Sequence, residues 1–136
     1  MINDIRQAII NKLIEVYPAI TERWLDQVPQ NFTPPAFQLI VIGHSYTKRL
    51  NNKFNAVLSM DLAYFSDADN QNKISDCLVK QETLLKAFDF IGTYKVINKN
   101  AQITDNVLHI TFDVPYSGYK PDTADLMQTQ TTNTQL

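Results

Sequence analysis

The chain has 136 residues, a length that fits one domain. Its 12 Lys and Arg residues are nearly balanced by 14 Asp and Glu residues, so it lacks the basic excess that is typical of nucleic-acid-binding domains. The single cysteine, Cys77, excludes an internal disulfide, and no apolar stretch approaches the roughly 20 residues of a membrane span. The first residues lack the charged and apolar regions of a signal peptide, so we expect none.

The first predicted element is an α-helix over residues 2–16. Its apolar residues recur at steps of three and four, which places them on one face; they are Ile2, Ile5, Ile9, Leu13 and Val16. Pro18 predicts the end of this helix. Residues 20–25 predict a short strand. Residues 26–35 predict a loop that its three prolines make stiff.

A long β-hairpin is predicted next, with strands over residues 37–46 and 54–65 around a turn at residues 50–53. The second strand alternates strictly between an apolar and a mixed face. The first strand is apolar on both faces from Leu39 to Ile42, which predicts burial on both sides, and it turns polar from His44. A hairpin of this length exceeds what one small core covers, so we expect its outer part to contact another subunit.

A second helix is predicted over residues 70–90, with Gly92 at its end. Its predicted apolar stripe consists of Ile74, Cys77, Leu78, Leu84, Leu85 and Phe88. Residues 94–99 and 107–116 predict a second, shorter hairpin that turns near residues 104–106.

These elements predict an α+β fold with one mostly antiparallel sheet, a long β-hairpin and two helices packed on the sheet. We expect one domain over residues 1–119. Residues 120–136 are polar and form a C-terminal tail that is expected to be disordered alone or docked on a neighbouring subunit. Leu126 and Met127 are the apolar residues through which such a tail would dock.

Candidate catalytic and metal-binding residues are scattered. Cys77 lies on a helical apolar stripe and is expected to act as a small buried hydrophobe. His44 and His109 are far apart and lack nearby ligand pairs, so they do not make a metal signature. Asp67 and Asp69 have the spacing of calcium ligands, but no EF-hand glycine or glutamate follows, and helix capping explains them better. We therefore expect no enzyme activity, cofactor or metal.

Three basic residues, Lys48, Arg49 and Lys53, surround the predicted hairpin turn. They fit a solvated, protected sheet edge better than a phosphate site. We expect no sequence-specific binding of nucleic acid.

Three short segments resemble a phage tail terminator family of Gram-positive phages, prophages and phage-tail-like bacteriocins. Residues 30–37, Gln-Asn-Phe-Thr-Pro-Pro-Ala-Phe, resemble that family's Gln-Gly-Phe-x-x-Pro-x-Phe pattern. Residues 61–65 resemble its strand ending in Tyr-Phe, and residues 105–109 resemble its Asp-Gly-Val-Leu-His hairpin. Asn31 and Asn106 replace glycines of these patterns. Asparagine is the next-best residue for left-handed backbone, so both turns are expected to persist.

The resemblance implies a structural role without catalytic residues. Such proteins form a ring, generally of six subunits, that caps the completed tail tube and stops its polymerisation. In contractile tails the ring also holds the last sheath ring, and in phages it presents a surface to the neck or connector. The implied partners are therefore copies of this chain, the tube protein, the sheath protein and a neck protein. The implied location is a virion or phage-tail-like particle assembled in the bacterial cytoplasm.

The predicted subunit interface combines the proline-rich loop, the hairpin turn and the tail. Its residues are Phe32, Pro34, Pro35, Lys48, Arg49, Asn51, Asn52, Lys53, Tyr119, Leu126 and Met127.

Three alternatives remain open at this point. The chain could be a neck, connector or other minor tail subunit, which the order of elements does not separate from a terminator. It could be a host cytosolic module that binds a ligand between sheet and helices. The least favoured alternative is a small enzyme that uses His44, Asp61 or His109.

Overall fold

A computed structural model of the chain describes residues 2–27 and 29–119. The predicted C-terminal tail, residues 120–136, lies outside the described residues. Within the described part, the elements follow in the order α1 (Ile2–Val16), β1 (Glu22–Leu25), β2 (Ala36–Lys48), β3 (Lys53–Phe65), α2 (Lys73–Ala87), β4 (Phe90–Ile91), β5 (Tyr94–Lys95), β6 (Ile97–Thr104) and β7 (Val107–Tyr119).

The main sheet has the strand order β1-β2-β3-β7-β6. β1 is parallel to β2, and every other neighbouring pair in this sheet is antiparallel. β4 and β5 form a small separate hairpin. The predicted α+β fold is confirmed, with a mostly antiparallel sheet, a long hairpin (β2–β3) and two helices.

The hydrophobic core lies between the two helices and one face of the sheet. α1 contributes Ile5, Ile9 and Leu13 from a single face, as its periodicity predicts. The central strands β3 and β7 contribute every second residue. These buried strand residues are Ala56, Leu58, Met60, Leu62 and Tyr64 in β3, and Leu108, Ile110, Phe112 and Val114 in β7.

β2 is buried on one face only, so the prediction that its middle is covered on both sides is wrong. Phe37 and Leu39 are buried, but Ile40 is only half-buried and Ile42 is 57% exposed. Both helices pack into the same core cluster on one face of the sheet. No described element covers the opposite face at this point.

α2 is shorter than predicted, and the prediction that its whole apolar stripe is buried is wrong for two residues. Cys77, Leu84 and the following Phe88 are buried, whereas Ile74 and Leu78 are each 50% exposed. At about 100° per residue, Cys77, Leu84 and Phe88 lie within about 20° of one direction, while Leu78 is about 100° away. The buried face is therefore narrower than the apolar composition of the helix indicates.

The turn residues have the backbone angles that asparagine and glycine tolerate. Asp105 and Asn106 connect β6 to β7 with φ angles of 53° and 62°, as in a two-residue hairpin turn. Gly92 has a φ of 62° but lies in the β4–β5 turn. The prediction that Gly92 ends α2 is therefore wrong, because the helix already ends at Ala87.

A hydrogen-bonded carboxylate joins β3 to α2. The Tyr64 hydroxyl and the Ser66 hydroxyl both donate to Oδ2 of Asp76, at 2.7 and 2.5 Å. Lys80 Nζ donates to Oδ1 at 3.0 Å. Burial opposes ionisation of Asp76, but the hydrogen bonds from Ser66, Tyr64 and Lys80 outweigh it and lower the pKa of this carboxyl. Burial and the same carboxylate raise the pKa of Tyr64, so its hydroxyl remains a donor.

We expect Asp76→Asn to destabilise the fold in a pH-dependent way. At neutral pH the free energy of unfolding should fall by about 1.5–3 kcal/mol, the usual contribution of hydrogen bonds to a charged group. The folded-state pKa of Asp76 is depressed, so its contribution is present above the unfolded pKa of about 4 and is lost as the pH falls through the lower folded value. Urea denaturation at about pH 7 and about pH 3 measures both effects.

Glu82→Gln is the matched control on the same helix. Glu82 pairs with Lys86 at 3.3 Å, but their side chains are 74% and 76% exposed. Removing such a pair should change the free energy of unfolding by less than about 1 kcal/mol. A loss for Asp76→Asn that is no larger than the control, or that is the same at both pH values, would contradict the assignment.

Candidate assembly surfaces

The predicted interface residues fall into two groups at opposite ends of β3. One group surrounds the hairpin tip (residues 48–53) and the other lies near Phe65. The 13 residues of β3 span about 40 Å at roughly 3.3 Å per residue. The structure therefore places these residues on two surfaces and does not bring them together. Leu126 and Met127 lie outside the described residues.

The hairpin tip is a tight three-residue turn, Leu50–Asn52, that projects an apolar side chain. Asn51 and Asn52 have φ angles of 60° and 61°, which asparagine tolerates better than most residues. The Arg49 N–H donates to the Lys53 carbonyl at 2.7 Å and closes the turn. Leu50 is 84% exposed. Tyr119 pairs with Lys53 through the backbone, so β7 ends beside the tip.

Four aromatic rings lie in contact between the tip and the core. We call His44, Tyr46, Phe54 and Tyr116 the aromatic row. Tyr46 stacks on Phe54 with centroids 5.1 Å apart, and Phe54 meets the edge of Tyr116 at 6.1 Å. His44 stacks on Tyr116, and a 2.6 Å hydrogen bond joins Nε2 of His44 to the Tyr116 hydroxyl. Tyr46 is 52% exposed, so the row is open to a partner.

The pKa of Tyr116 bears on this surface. Burial raises the pKa of the Tyr116 hydroxyl, and Tyr46 and Tyr94 add to the shift. A tyrosine hydroxyl is already neutral at physiological pH, and the shift extends its neutral range to higher pH. A neutral phenol fits a surface that buries itself against another protein better than a charged one does.

A β-bulge in β2 puts His44 and Tyr46 on the core side of the sheet, where they meet Phe54 and Tyr116. The regular pairing of β2 with β3 is interrupted between Val41 and Gly43. Beyond the bulge, His44 lies opposite Leu58 and therefore shares its face. A strict alternation along β2, without a bulge, places His44 and Tyr46 on the opposite face and does not predict the row. Gly43, directly after an apolar pair, was the available signal, since glycine inside a strand often marks a bulge.

The outer half of the hairpin has two sheet edges without a strand partner among the described residues. β1 pairs with β2 only as far as Leu39, which leaves residues 40–48 open on that side. β6 pairs with β7 only as far as Asp113. Pro115 has no N–H to donate, so residues 116–119 form the usable edge of β7. Open edges of this kind are templates for pairing with another chain.

A groove lies at the other end of β3, near Phe65. It has a volume of about 280 Å³ and is lined by Phe32, Pro34, Phe65, Ser66, Asn70, Lys73, Asp105, Asn106 and Val107. Phe32 meets Phe65 edge-on with centroids 4.9 Å apart. Pro35 is half-buried and does not line the groove. All three segments of the family resemblance meet here, which the sequence alone could not place.

The candidate catalytic residues do not form one site. His44 lies on the core side of the sheet, whereas His109 lies on the opposite face, where its Nδ1 is 3.1 Å from Asp61 Oδ2. Cys77 is fully buried, and burial raises the pKa of its thiol, which disfavours the reactive thiolate.

Asp69 stabilises the turn before α2. Its Oδ1 accepts hydrogen bonds from the backbone and the side chain of Asn72, at 3.2 and 2.7 Å. Across residues 2–27 and 29–119, no group of three or more His, Cys, Asp or Glu side chains could hold a metal ion. The part of the chain that the structure describes has no helix long and apolar enough to cross a membrane.

Comparisons with known proteins identify the family. A family model described as phage tail terminator protein matches residues 4–125. No match was found among curated proteins. A solved structure aligns with 88% of this chain and 98% of its own chain, at 13% identity and a TM-score of 0.38, a likeness too low to carry an argument.

The family match spans both helices and the whole sheet, and it agrees with the three resembling segments. It supports a structural role in a phage tail, as a virion component that interacts with other tail components. Proteins of such a structural family are typically not enzymes. The chain belongs to the phage tail terminator family.

Proposed function

We propose that this chain forms a closed ring of identical subunits on the end of a completed tail tube and stops the addition of further tube subunits. Six subunits are the number that the family resemblance implies. The observation that carries the proposal is the outer half of the β2–β3–β7 unit. It extends past the helices, exposes an aromatic row and leaves two backbone edges open.

The open edges are suited to a closed ring. β2 and β7 are both antiparallel to β3, so they run in the same direction. Copies related by rotation about an axis roughly along the strands would therefore place β7 of one subunit parallel to β2 of the next. Such a contact uses two different surfaces of each subunit, as a ring that closes by rotation requires.

The two ends of the strands differ, which suits a cap. The hairpin tip carries Lys48, Arg49 and Lys53 around the exposed Leu50. The groove end carries the exposed carboxylates Asp67, Asp69 and Asp105, in or beside the segments that line the groove. A tube subunit that matches one end finds no equivalent surface at the other, so growth stops after one ring. The end away from the tube is then free to hold the last sheath ring or to contact the neck.

We expect a shortened hairpin tip to abolish length control without unfolding the subunit. Replacing residues 50–52 by Asn-Gly connects Arg49 and Lys53, which already face each other, through a favourable two-residue turn and removes the exposed Leu50. Circular dichroism should show a folded protein, and electron micrographs should show tails of variable, increased length. The control replaces Asn51 and Asn52 by Gly, which retains the positive φ angles. Uniform tails of normal length with the shortened tip would count against the proposal.

We expect Ile42→Lys to weaken ring formation. Ile42 is exposed beside the open edge of β2, and a lysine on an edge strand opposes pairing with another chain. Ile74→Lys places the same charge at a similarly exposed position on α2 and serves as the control. Light scattering of subunits mixed with purified tubes should show fewer bound subunits for Ile42→Lys alone. Equal binding by both variants would place the interface elsewhere.

Mapping of the contacts in intact particles separates this role from that of a neck or connector subunit. Chemical cross-linking followed by mass spectrometry should link the terminator directly to the last ring of the tube. Cross-links to neck proteins alone would support the connector instead.

A further inference from the structure

We propose that residues 120–127 of one subunit lie across the aromatic row of the next subunit, with Leu126 and Met127 as apolar anchors. This inference rests on the proposed ring. The inference names the segment that covers the aromatic row. The described residues of the subunit that carries the row do not cover it.

The point at which the chain leaves the sheet favours this occupant. Tyr119 pairs with Lys53, and Gly118 pairs with Phe54, which in turn pairs with Lys48. The last residues of β7 are therefore level with the outer end of β2. In the proposed ring β7 lies next to β2 of the following subunit, so residue 120 begins beside that subunit's hairpin tip, close to its aromatic row.

The length of the segment is sufficient. Leu126 lies seven residue steps beyond Tyr119, and seven steps can reach about 23 Å when extended. The neighbouring strand is about 5 Å away, and the three residues along it back to Tyr46 cover about 10 Å. The segment can therefore reach Tyr46 and Phe54 of the next subunit without full extension.

The chemistry of the segment matches the surface. Methionine and leucine pack well on exposed aromatic rings, and sulfur–aromatic contacts are favourable. Asp122 and Asp125 are acidic, whereas the surface beside the row carries Lys48 and Arg49. The family match also continues past β7 to residue 125, so the pattern includes most of this segment.

Mixed single-cysteine variants test the contact between subunits. His44→Cys and Met127→Cys are prepared separately, mixed, assembled on purified tail tubes and mildly oxidised. Cys77 is fully buried and should not react. We expect disulfide-linked dimers that join residue 44 to residue 127, identified by mass spectrometry of the linked peptides. Their formation should be at least about tenfold faster than in the control mixture, because bound partners have a high effective concentration.

The control mixture pairs Met127→Cys with Ser45→Cys. Ser45 is exposed on the same strand but on the opposite face of the sheet. Equal linkage to residues 44 and 45, or no linkage in assembled rings, would overturn the inference and leave the proposed ring intact. Linkage only within a chain that carries both His44→Cys and Met127→Cys would also overturn it, because the segment would then cover its own subunit.

A second measurement uses the intact aromatic row. Replacing Leu126 and Met127 by Ser should raise the subunit concentration needed for ring formation about tenfold, since two apolar anchors are lost. Leu136→Ser, the same change beyond the segment, should have no effect. Equal behaviour of both variants would overturn the inference. Failure of the unmodified chain to form a ring on tubes would instead refute the proposed function.

Discussion

The structure depends on a mismatch in length between the helices and the strands that they cover. Each helix has 15 residues and is about 22 Å long, whereas β2, β3 and β7 each have 13 residues and are about 40 Å long. The helices can bury only part of one sheet face. The remaining strand length has to end in solvent or against another chain. The aromatic row, the open edges and the basic tip all lie in this uncovered part.

The sequence predicted the elements whose signal is local. The periodicity of α1 and the alternation of β3 each specify one buried face, and both predictions are confirmed. The predictions are wrong where the burial of a residue depends on contacts with distant parts of the chain. The exposure of Ile74 and Leu78 depends on how far the sheet extends beneath α2, which the helix sequence does not contain. The sequence predicts Gly92 at a helix end because the two-residue strand β4 before it has almost no alternation to detect.

The assembly surfaces were predictable to different degrees. The tip followed from turn chemistry, because consecutive asparagines tolerate positive φ angles. The groove needs three segments that are far apart in the chain, so Phe32 and Pro34 could be proposed only through the resemblance. The aromatic row was missed because one extra residue reverses the alternation of β2. Periodic patterns thus predict most of the fold. The assembly surfaces depend on a bulge and on the meeting of distant segments, which periodicity does not show.

The bulge at Ile42 also divides β2 into an inner and an outer segment that are under different constraints. Residues before it obey the packing of the core, and residues after it are free to vary with the partner. Gain or loss of a single amino acid at this point would turn the outer segment over while the interior stays in place. Related subunits could therefore acquire a new docking chemistry through one short insertion or deletion, at a position where the folded interior is least affected.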